Sequence, residues 1–165
     1  MTEKISILGV ELNDYSMEDA ARVIEEYLNN DVLNTMCLVT KEMLVYVGEN
    51  PEYRECLEAM DIHVVADSDI FSAAGITGEE RLKKADDRQL WKLFIDTVVK
   101  EHKSCFLLAQ TADDLEKFRE TLQEKFPDLV IAGAYAAEDA GEEPEVIVNE
   151  INGILPDVIF STLDQ

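Results

Sequence analysis

Two polar residues stand where apolar strands are predicted to end, and these positions favour a functional site. Thr40 closes the predicted strand Met36–Thr40, and Asp67 follows the predicted strand Ile62–Ala66. In an open α/β sheet, ligands bind outside the carboxyl ends of the strands. A hydroxyl there can donate and accept hydrogen bonds, and a carboxylate can accept a proton. Thr40 and Asp67 are therefore the leading candidates for chemistry.

Both residues also have a structural interpretation. Asp67 would be the N-cap of a short helix over residues 69–74, and Thr40 would cap the helix that follows it or bond at the strand end. Either role uses the same side-chain oxygen, so the sequence leaves both interpretations open.

The elements that would position these residues alternate between strands and helices. An N-terminal strand, Ile5–Val10, precedes an amphipathic helix that begins at Ser16 with acids in its first turn. Strands joined through helices pair in parallel. The pattern predicts an α/β fold in a single domain over residues 1–165, with a Rossmann-like, open, mainly parallel sheet and helices on both faces. The remaining strands are predicted at Met36–Thr40, Ile62–Ala66, Ser104–Leu108, Leu129–Ala132 and Val158–Phe160, and the remaining helices at Glu42–Gly48, Pro51–Ala59, residues 90–98, Asp113–Phe126 and Glu145–Ile154.

Charge excludes one class of partner. The 165 residues carry 36 acidic and 14 basic side chains, a formal net charge of -22. Such a charge repels nucleic acid and anionic membrane surfaces, so nucleic-acid binding is not expected. No apolar run approaches the roughly 18 residues that a membrane span needs, and the N-terminus does not resemble a signal peptide. We therefore expect a cytoplasmic protein.

Cysteine and histidine give no sign of a metal or redox site. The three cysteines, Cys37, Cys56 and Cys105, form no C-x-x-C pair and are predicted to be buried, reduced thiols. His63 lies within an apolar strand and His102 near a helix C-terminus, and both are interpreted as structural. The carboxylate pair of Asp67-Ser68-Asp69 is interpreted as a turn or cap, so no metal is predicted.

The sequence segments of the chain and their order resemble the TagA/WecG/CpsF family of N-acetylmannosaminyltransferases, which build bacterial surface polymers. The resemblance covers nearly the whole chain. Its segments are ILGVELNDYSMEDAARVIEEYL, LVTKEMLVYVGENPEYRECLEAMDIHVVADSDIFSAAG, FLLAQTADDLEKFRETLQEKFPDLVIAGAY and INGILPDVIFSTLDQ. It implies a Rossmann-like glycosyltransferase fold without a metal cofactor. The implied substrates are a UDP-sugar donor and a lipid-linked acceptor.

The resemblance also assigns roles to individual residues. Thr40 matches the family's threonine, and Asp67 matches the aspartate regarded as the general base that activates the acceptor hydroxyl. Three further positions are expected to contact the nucleotide. Lys84 lies near the family's arginine, Gln110 ends the strand that corresponds to an "LLGG" motif, and Tyr135 lies in the segment that corresponds to a "GYF" loop.

Several positions differ from the family pattern. Glu42 replaces an asparagine, Ser68 a glycine after the aspartate, and Ala109-Gln110 a pair of glycines. The sequence also stops before the family's "PKQE"-like motif and C-terminal membrane-targeting segment. Because family members often form oligomers and meet the membrane through that segment, a monomer or small homo-oligomer is expected here.

Three hypotheses follow. The chain is an enzyme that transfers N-acetylmannosamine or a related sugar, or a noncatalytic relative that acts in binding, scaffolding or regulation. The third hypothesis is an unrelated Rossmann-like nucleotide binder, but the sequence contains neither GxGxxG nor GxxxxGK[ST].

Overall fold

The computed structural model describes residues 3–65, 68–77 and 87–163. The chain divides into two compact units, Met1–Phe94 and Ile95–Gln165. Asp67 and Lys84 lie outside the described residues, as does most of the charged segment around Lys84.

The first unit begins with a β-hairpin where the sequence predicted one strand, Ile5–Val10. Strand β1 (Glu3–Ile7) pairs antiparallel with β2 (Val10–Asp14). Leu8 and Gly9 form the connection with φ of 51° and 78°. Two positive φ values are what a tight hairpin turn needs, because they match the twist of the flanking strands. The single-strand prediction was wrong because leucine in the first turn position gives no sequence signal for this turn.

The rest of the first unit follows the predicted alternation of strands and helices. Ser16 caps α1 (Met17–Leu28), and its hydroxyl oxygen accepts a hydrogen bond from the Asp19 amide. Pro51 begins α3 (Pro51–Glu58), and proline suits this position because an amide there would have no partner within the helix. The elements are α1 (Met17–Leu28), β3 (Met36–Val39), α2 (Lys41–Glu49), α3 (Pro51–Glu58), β4 (Ile62–Val65) and α4 (Ser68–Ala73).

Strand β4 is buried along its whole length, and its residues divide between two hydrophobic clusters. Ile62 and Val64 pack in a cluster with α1 and Leu90, whereas Val65 packs in another with the β1–β2 hairpin. The alternation follows from the two-residue period of a strand. Apolar side chains on both faces are typical of a strand covered on both sides.

The second unit contains a three-stranded parallel sheet in which β5 (Ser104–Ala109) lies between β6 (Val130–Ala136) and β7 (Val158–Thr162). Between these strands run helices that contact the sheet, as in the predicted βαβ pattern. Helix α5 (Asp87–Lys100) contains the division between the two units. The elements that follow α5 are β5 (Ser104–Ala109), α6 (Ala112–Lys125), β6 (Val130–Ala136), a 3-10 turn at Ala137–Ala140, α7 (Glu145–Ile154) and β7 (Val158–Thr162).

The α/β class, with open parallel sheets and helices beside them, is confirmed. Among the described residues, no helix has both the length and the apolar composition that crossing a bilayer would require.

The cysteines are not all buried, contrary to the prediction. Cys105 is fully enclosed in β5, and burial raises the pKa of its thiol to about 11. Cys37 is partly buried, and burial also raises its pKa. Cys56 is exposed on α3, because the helix period turns its neighbour Leu57 inward instead.

Candidate functional site

Thr40 lies at the carboxyl end of β3 and is the N-cap of α2. Its hydroxyl oxygen accepts a hydrogen bond from the Met43 amide at 3.2 Å, and its carbonyl accepts one from Leu44 at 3.1 Å. The backbone is extended, with φ -98° and ψ 166°, as an N-cap requires. The capping interpretation of Thr40 is therefore confirmed. A hydroxyl that accepts one bond still carries a proton that it can donate, so capping does not preclude contact with a ligand.

Replacing Thr40 tests its capping role. Thr40→Ala is expected to lower the free energy of unfolding by about 1 kcal/mol, because the Met43 amide loses its capping partner. Thr40→Ser keeps the hydroxyl and should recover most of that loss. Chemical denaturation of both variants measures the effect. Equal stability of the alanine variant and the wild type would contradict the capping contribution.

The ends of β3 and β4 are level with each other. Their parallel register places Val39 opposite Val65, so both strands end at the same edge of the sheet. Thr40 is the first residue beyond β3, and Asp67 is the second beyond Val65. The structure thus gives Thr40 the strand-end position that the sequence predicted. The position of Asp67 lies outside the described residues and stays a prediction.

An ion pair joins the helices that begin at this edge. Lys41 Nζ, at the start of α2, lies 3.3 Å from Asp69 Oδ2 in the first turn of α4. Both side chains are at least half exposed, so water weakens the pair. The sequence, in which Asp69 was interpreted as part of a turn or cap, did not show that this carboxylate would pair with Lys41.

Gln110 lies at the carboxyl edge of the second unit's sheet. It is exposed, directly follows β5, and accepts a hydrogen bond from the Glu138 amide through its backbone carbonyl at 3.0 Å. That bond connects the segments that follow β5 and β6. Gln110 therefore lies at a strand end, as predicted, and the same edge includes the start of the 3-10 turn.

Tyr135 is not in a loop, contrary to the prediction. Strand β6 extends to Ala136, four residues beyond the predicted end, and Tyr135 pairs with Leu108 inside the sheet. Its ring is partly buried. The small residues Ala132, Gly133 and Ala134 have weak strand preference, so the predicted boundary was too early. Pairing with the central strand β5 overrides that preference.

The N-terminus of α6 is covered by side chains of the chain itself. Thr111 caps the helix by accepting from the Asp114 amide at 3.1 Å. Glu138 Oε1 accepts a hydrogen bond from the Ala112 amide at 2.7 Å. A helix N-terminus after a parallel strand is a position that attracts anionic groups. Here a carboxylate from the segment after β6 already bonds to it, and Asp113 and Asp114 add two further negative charges in the first turn. Sequence reasoning missed Glu138.

Each unit thus presents a separate group of candidates. Thr40 belongs to the first unit, and Gln110 and Tyr135 belong to the second. Within the described ranges, no three His, Cys, Asp or Glu side chains are grouped as metal ligands would be. Thr40 offers a hydroxyl at the carboxyl edge of the first unit's sheet, and this hydroxyl can donate a hydrogen bond to an anionic or hydroxyl-rich ligand.

The fold and the strand-end positions of Thr40 and Gln110 define the class: an α/β protein with open parallel sheets and polar residues at their carboxyl edges. The model of the glycosyl transferase WecG/TagA/CpsF family matches residues 5–164. The chain therefore belongs to that family, as the resemblance indicated.

Similar curated proteins carry the name N-acetylglucosaminyldiphosphoundecaprenol N-acetyl-beta-D-mannosaminyltransferase. Those of Staphylococcus aureus strains NCTC 8325 and MRSA252 are each 26% identical to this chain over 166 residues. The alignment covers 96% of this chain and 63% of the relatives, so the chain spans less than two thirds of their length.

Proposed function

We propose that this protein is a glycosyltransferase that moves N-acetylmannosamine, or a related sugar, from a UDP-linked donor to a lipid-linked acceptor. The observation that carries the proposal is the family match over residues 5–164. The substrate classes follow from the name of the relatives and from the family resemblance. The register of β3 with β4 supports the proposal, because both strands end at the same edge of the sheet. Thr40 directly follows β3 at this edge, and the segment that contains Asp67 follows β4.

The proposed chemistry is a displacement at the anomeric carbon of the donor sugar. Asp67 accepts the proton of the acceptor hydroxyl as that oxygen bonds to the anomeric carbon. The bond from the anomeric carbon to the diphosphate breaks, UDP departs with the bonding electrons, and the configuration inverts. Thr40 donates a hydrogen bond at this edge, and Lys84, Gln110 and Tyr135 are proposed nucleotide contacts.

Binding calorimetry tests the donor half of the proposal. The purified protein is titrated with UDP and with UDP-N-acetylmannosamine, and Lys84→Ala is titrated beside it. We expect saturable binding of both ligands, and weaker binding by the variant, because the ammonium of the proposed contact Lys84 attracts a diphosphate as a point charge. No heat with either ligand at millimolar concentration would contradict a donor site.

A second candidate function is that of a noncatalytic family member that binds or scaffolds other components of the pathway. The bond between Glu138 and the Ala112 amide favours it, because an internal carboxylate then takes a position suited to a phosphate. Glu42 beside Thr40 and the net charge of -22 act in the same direction. This candidate predicts that neither ligand binds and that no UDP is released, although the fold is intact.

A further inference from the structure

His63 is enclosed in the first unit and uses both of its ring nitrogens. Its exposed fraction is 4%, and it is the one polar residue among the buried side chains of the described part of the chain. Nδ1 lies 3.0 Å from the Asn13 amide nitrogen, and Nε2 lies 2.6 Å from the Leu57 carbonyl oxygen. A backbone amide can only donate and a carbonyl can only accept. The ring is therefore neutral, with its proton on Nε2.

These two bonds connect three elements. Asn13 belongs to β2, Leu57 to α3 and His63 itself to β4. Two further connections run beside them: the Asn13 side-chain amide donates to the Asp61 carbonyl at 2.7 Å, and the Glu11 amide donates to Glu58 Oε1 at 3.1 Å. Among these three hydrogen bonds from β2, the bond to His63 has an acceptor of the type that ordinarily titrates near neutral pH.

The hairpin that His63 holds also supports the candidate edge. Ile7, Val10 and Leu12 of the hairpin are buried in one cluster with Val39 and Val65. Val39 and Val65 are the last residues of β3 and β4, directly before the segments that contain Thr40 and Asp67. Loss of hairpin packing would therefore remove the support under the ends of both strands.

We propose that His63 is a pH-sensitive latch that fastens the β1–β2 hairpin to β4 and α3 when it is neutral and releases the hairpin when it is protonated. Protonation adds a proton to Nδ1, which then faces the N–H of Asn13. The acceptor of that hydrogen bond is lost, two donors oppose each other, and a charge lies in a buried position.

The charges around the ring set the direction of its titration. Burial is the largest influence and lowers the pKa of His63 below the ordinary value of 6.5, and Lys4 on β1 lowers it further. The Leu57 carbonyl and Glu58 on α3 act in the opposite direction. Four other titratable residues belong to neighbouring elements. Cys37 on β3 is the register partner of His63, and Glu11 lies on β2. Asp61 precedes β4, and its carbonyl accepts a hydrogen bond from the Tyr15 hydroxyl at 3.3 Å.

The sign of the pH effect follows from the lowered pKa. The unfolded chain binds a proton at His63 more readily than the folded chain does, so stability rises with pH in this range. The contribution of His63 is complete above the unfolded value of 6.5 and is lost as pH falls through the folded value. The latch therefore opens on the acidic side of neutrality.

Amide hydrogen exchange of the wild-type protein tests the latch at about pH 7.5 and about pH 5.5, a range in which histidine is the side chain that ordinarily titrates. Exchange rates are first corrected for the intrinsic effect of pH. Protection of the β1–β2 amides should then fall as the pH is lowered, by at most about tenfold for each pH unit, because one proton is bound when the hairpin is released. Amides of β5 and β7 in the second unit serve as the internal reference and should keep their protection.

Two variants make the test specific. His63→Gln offers one acceptor and one donor and does not titrate, so its hairpin protection should not change between the two pH values. His102→Gln removes the chain's other histidine, which is exposed, and should behave as the wild type does. Equal protection of the hairpin at both pH values in the wild type, or a fall that persists in His63→Gln, would overturn the proposal.

Nuclear magnetic resonance of the wild type provides a reading that does not depend on how well a variant folds. The Asn13 amide signal should change with the same midpoint as the His63 ring, below the ordinary histidine value of 6.5. A change that follows His102 instead, or a His63 ring that does not titrate before the whole protein unfolds, counts against the latch.

Discussion

Replacing Gly133 with alanine is expected to lower the free energy of unfolding by about 1–3 kcal/mol. A Cβ at this position would collide with Ile154 Cδ1 and would lie 3.0 Å from two ring carbons of Phe106. The Ile154 methyl group can rotate away, but the Phe106 ring is fully buried and has no space into which it can move. The cost is steric and arises between β5, β6 and α7.

A bulge explains why glycine stands there. The pairing of β5 with β6 shifts between Cys105 and Phe106, so that Phe106 lies opposite Gly133 instead of Ala132. The extra residue bends the strand and brings the Phe106 ring against the backbone of its neighbour. Only a residue without a side chain leaves room for the ring and for Ile154 together.

Gly153 provides the matched control for this variant. It lies one residue before Ile154 on the same helix, and nothing lies within 4 Å of a Cβ built on it. Gly153→Ala should therefore stabilise the protein by about 0.5–1 kcal/mol, because alanine has the higher helix propensity. Thermal and chemical denaturation compare both variants with the wild type. A Gly133→Ala variant as stable as Gly153→Ala would contradict the packing argument.

Much of the fold could be predicted from the sequence because the pattern and the packing agree. Apolar runs bounded by polar residues predicted β3, β4, β5 and β7, and periodic apolar residues with capping signals predicted the helices, including Glu145–Ile154 with both ends correct. Joining helices implied parallel pairing, and the register of β3 with β4 confirms it. Local signals were sufficient wherever a single segment carried the whole pattern.

The misses have different physical causes. The turn at Leu8-Gly9 is local, but leucine gives no sequence signal for it. The length of β6 depends on a partner strand that is distant in sequence, and the exposure of Cys56 depends on the face of its helix. Tyr135 entered a strand because β5 lies beside it, not because its own neighbours favour a strand. Pairing of this kind is a tertiary effect, and single-sequence propensity does not contain it.

The candidate site was predictable in position but not in its contacts. Strand ends can be read from the sequence, so Thr40 and Gln110 were identified at the correct edges. The contacts of Lys41 with Asp69 and of Glu138 with the Ala112 amide join residues that are 28 and 26 positions apart. Both contacts place carboxylates where a phosphate would otherwise be attracted. The sequence shows the charge of these groups and does not show which partner they meet.

Replacing Asp67 with asparagine is expected to reduce the rate of sugar transfer by about 10²–10⁴-fold, the usual contribution of a general base. Asparagine has a similar shape but cannot take the proton of the acceptor hydroxyl. Binding of UDP should change little, because the proposed role of Asp67 is toward the acceptor. The combination of retained binding and lost turnover distinguishes proton transfer from a general loss of structure.

The assay measures UDP released from UDP-N-acetylmannosamine in the presence of an N-acetylglucosaminyl diphospholipid analogue, the proposed acceptor class. Asp69→Asn is the matched control, since it removes a carboxylate two residues further along the chain, one that is exposed and paired with Lys41. Its rate should stay within a few-fold of the wild type. Similar rates for Asp67→Asn and the wild type would exclude Asp67 as the base. If the wild type binds UDP but neither it nor the control releases any, the residues at the β3–β4 edge retain a ligand site without the transfer reaction.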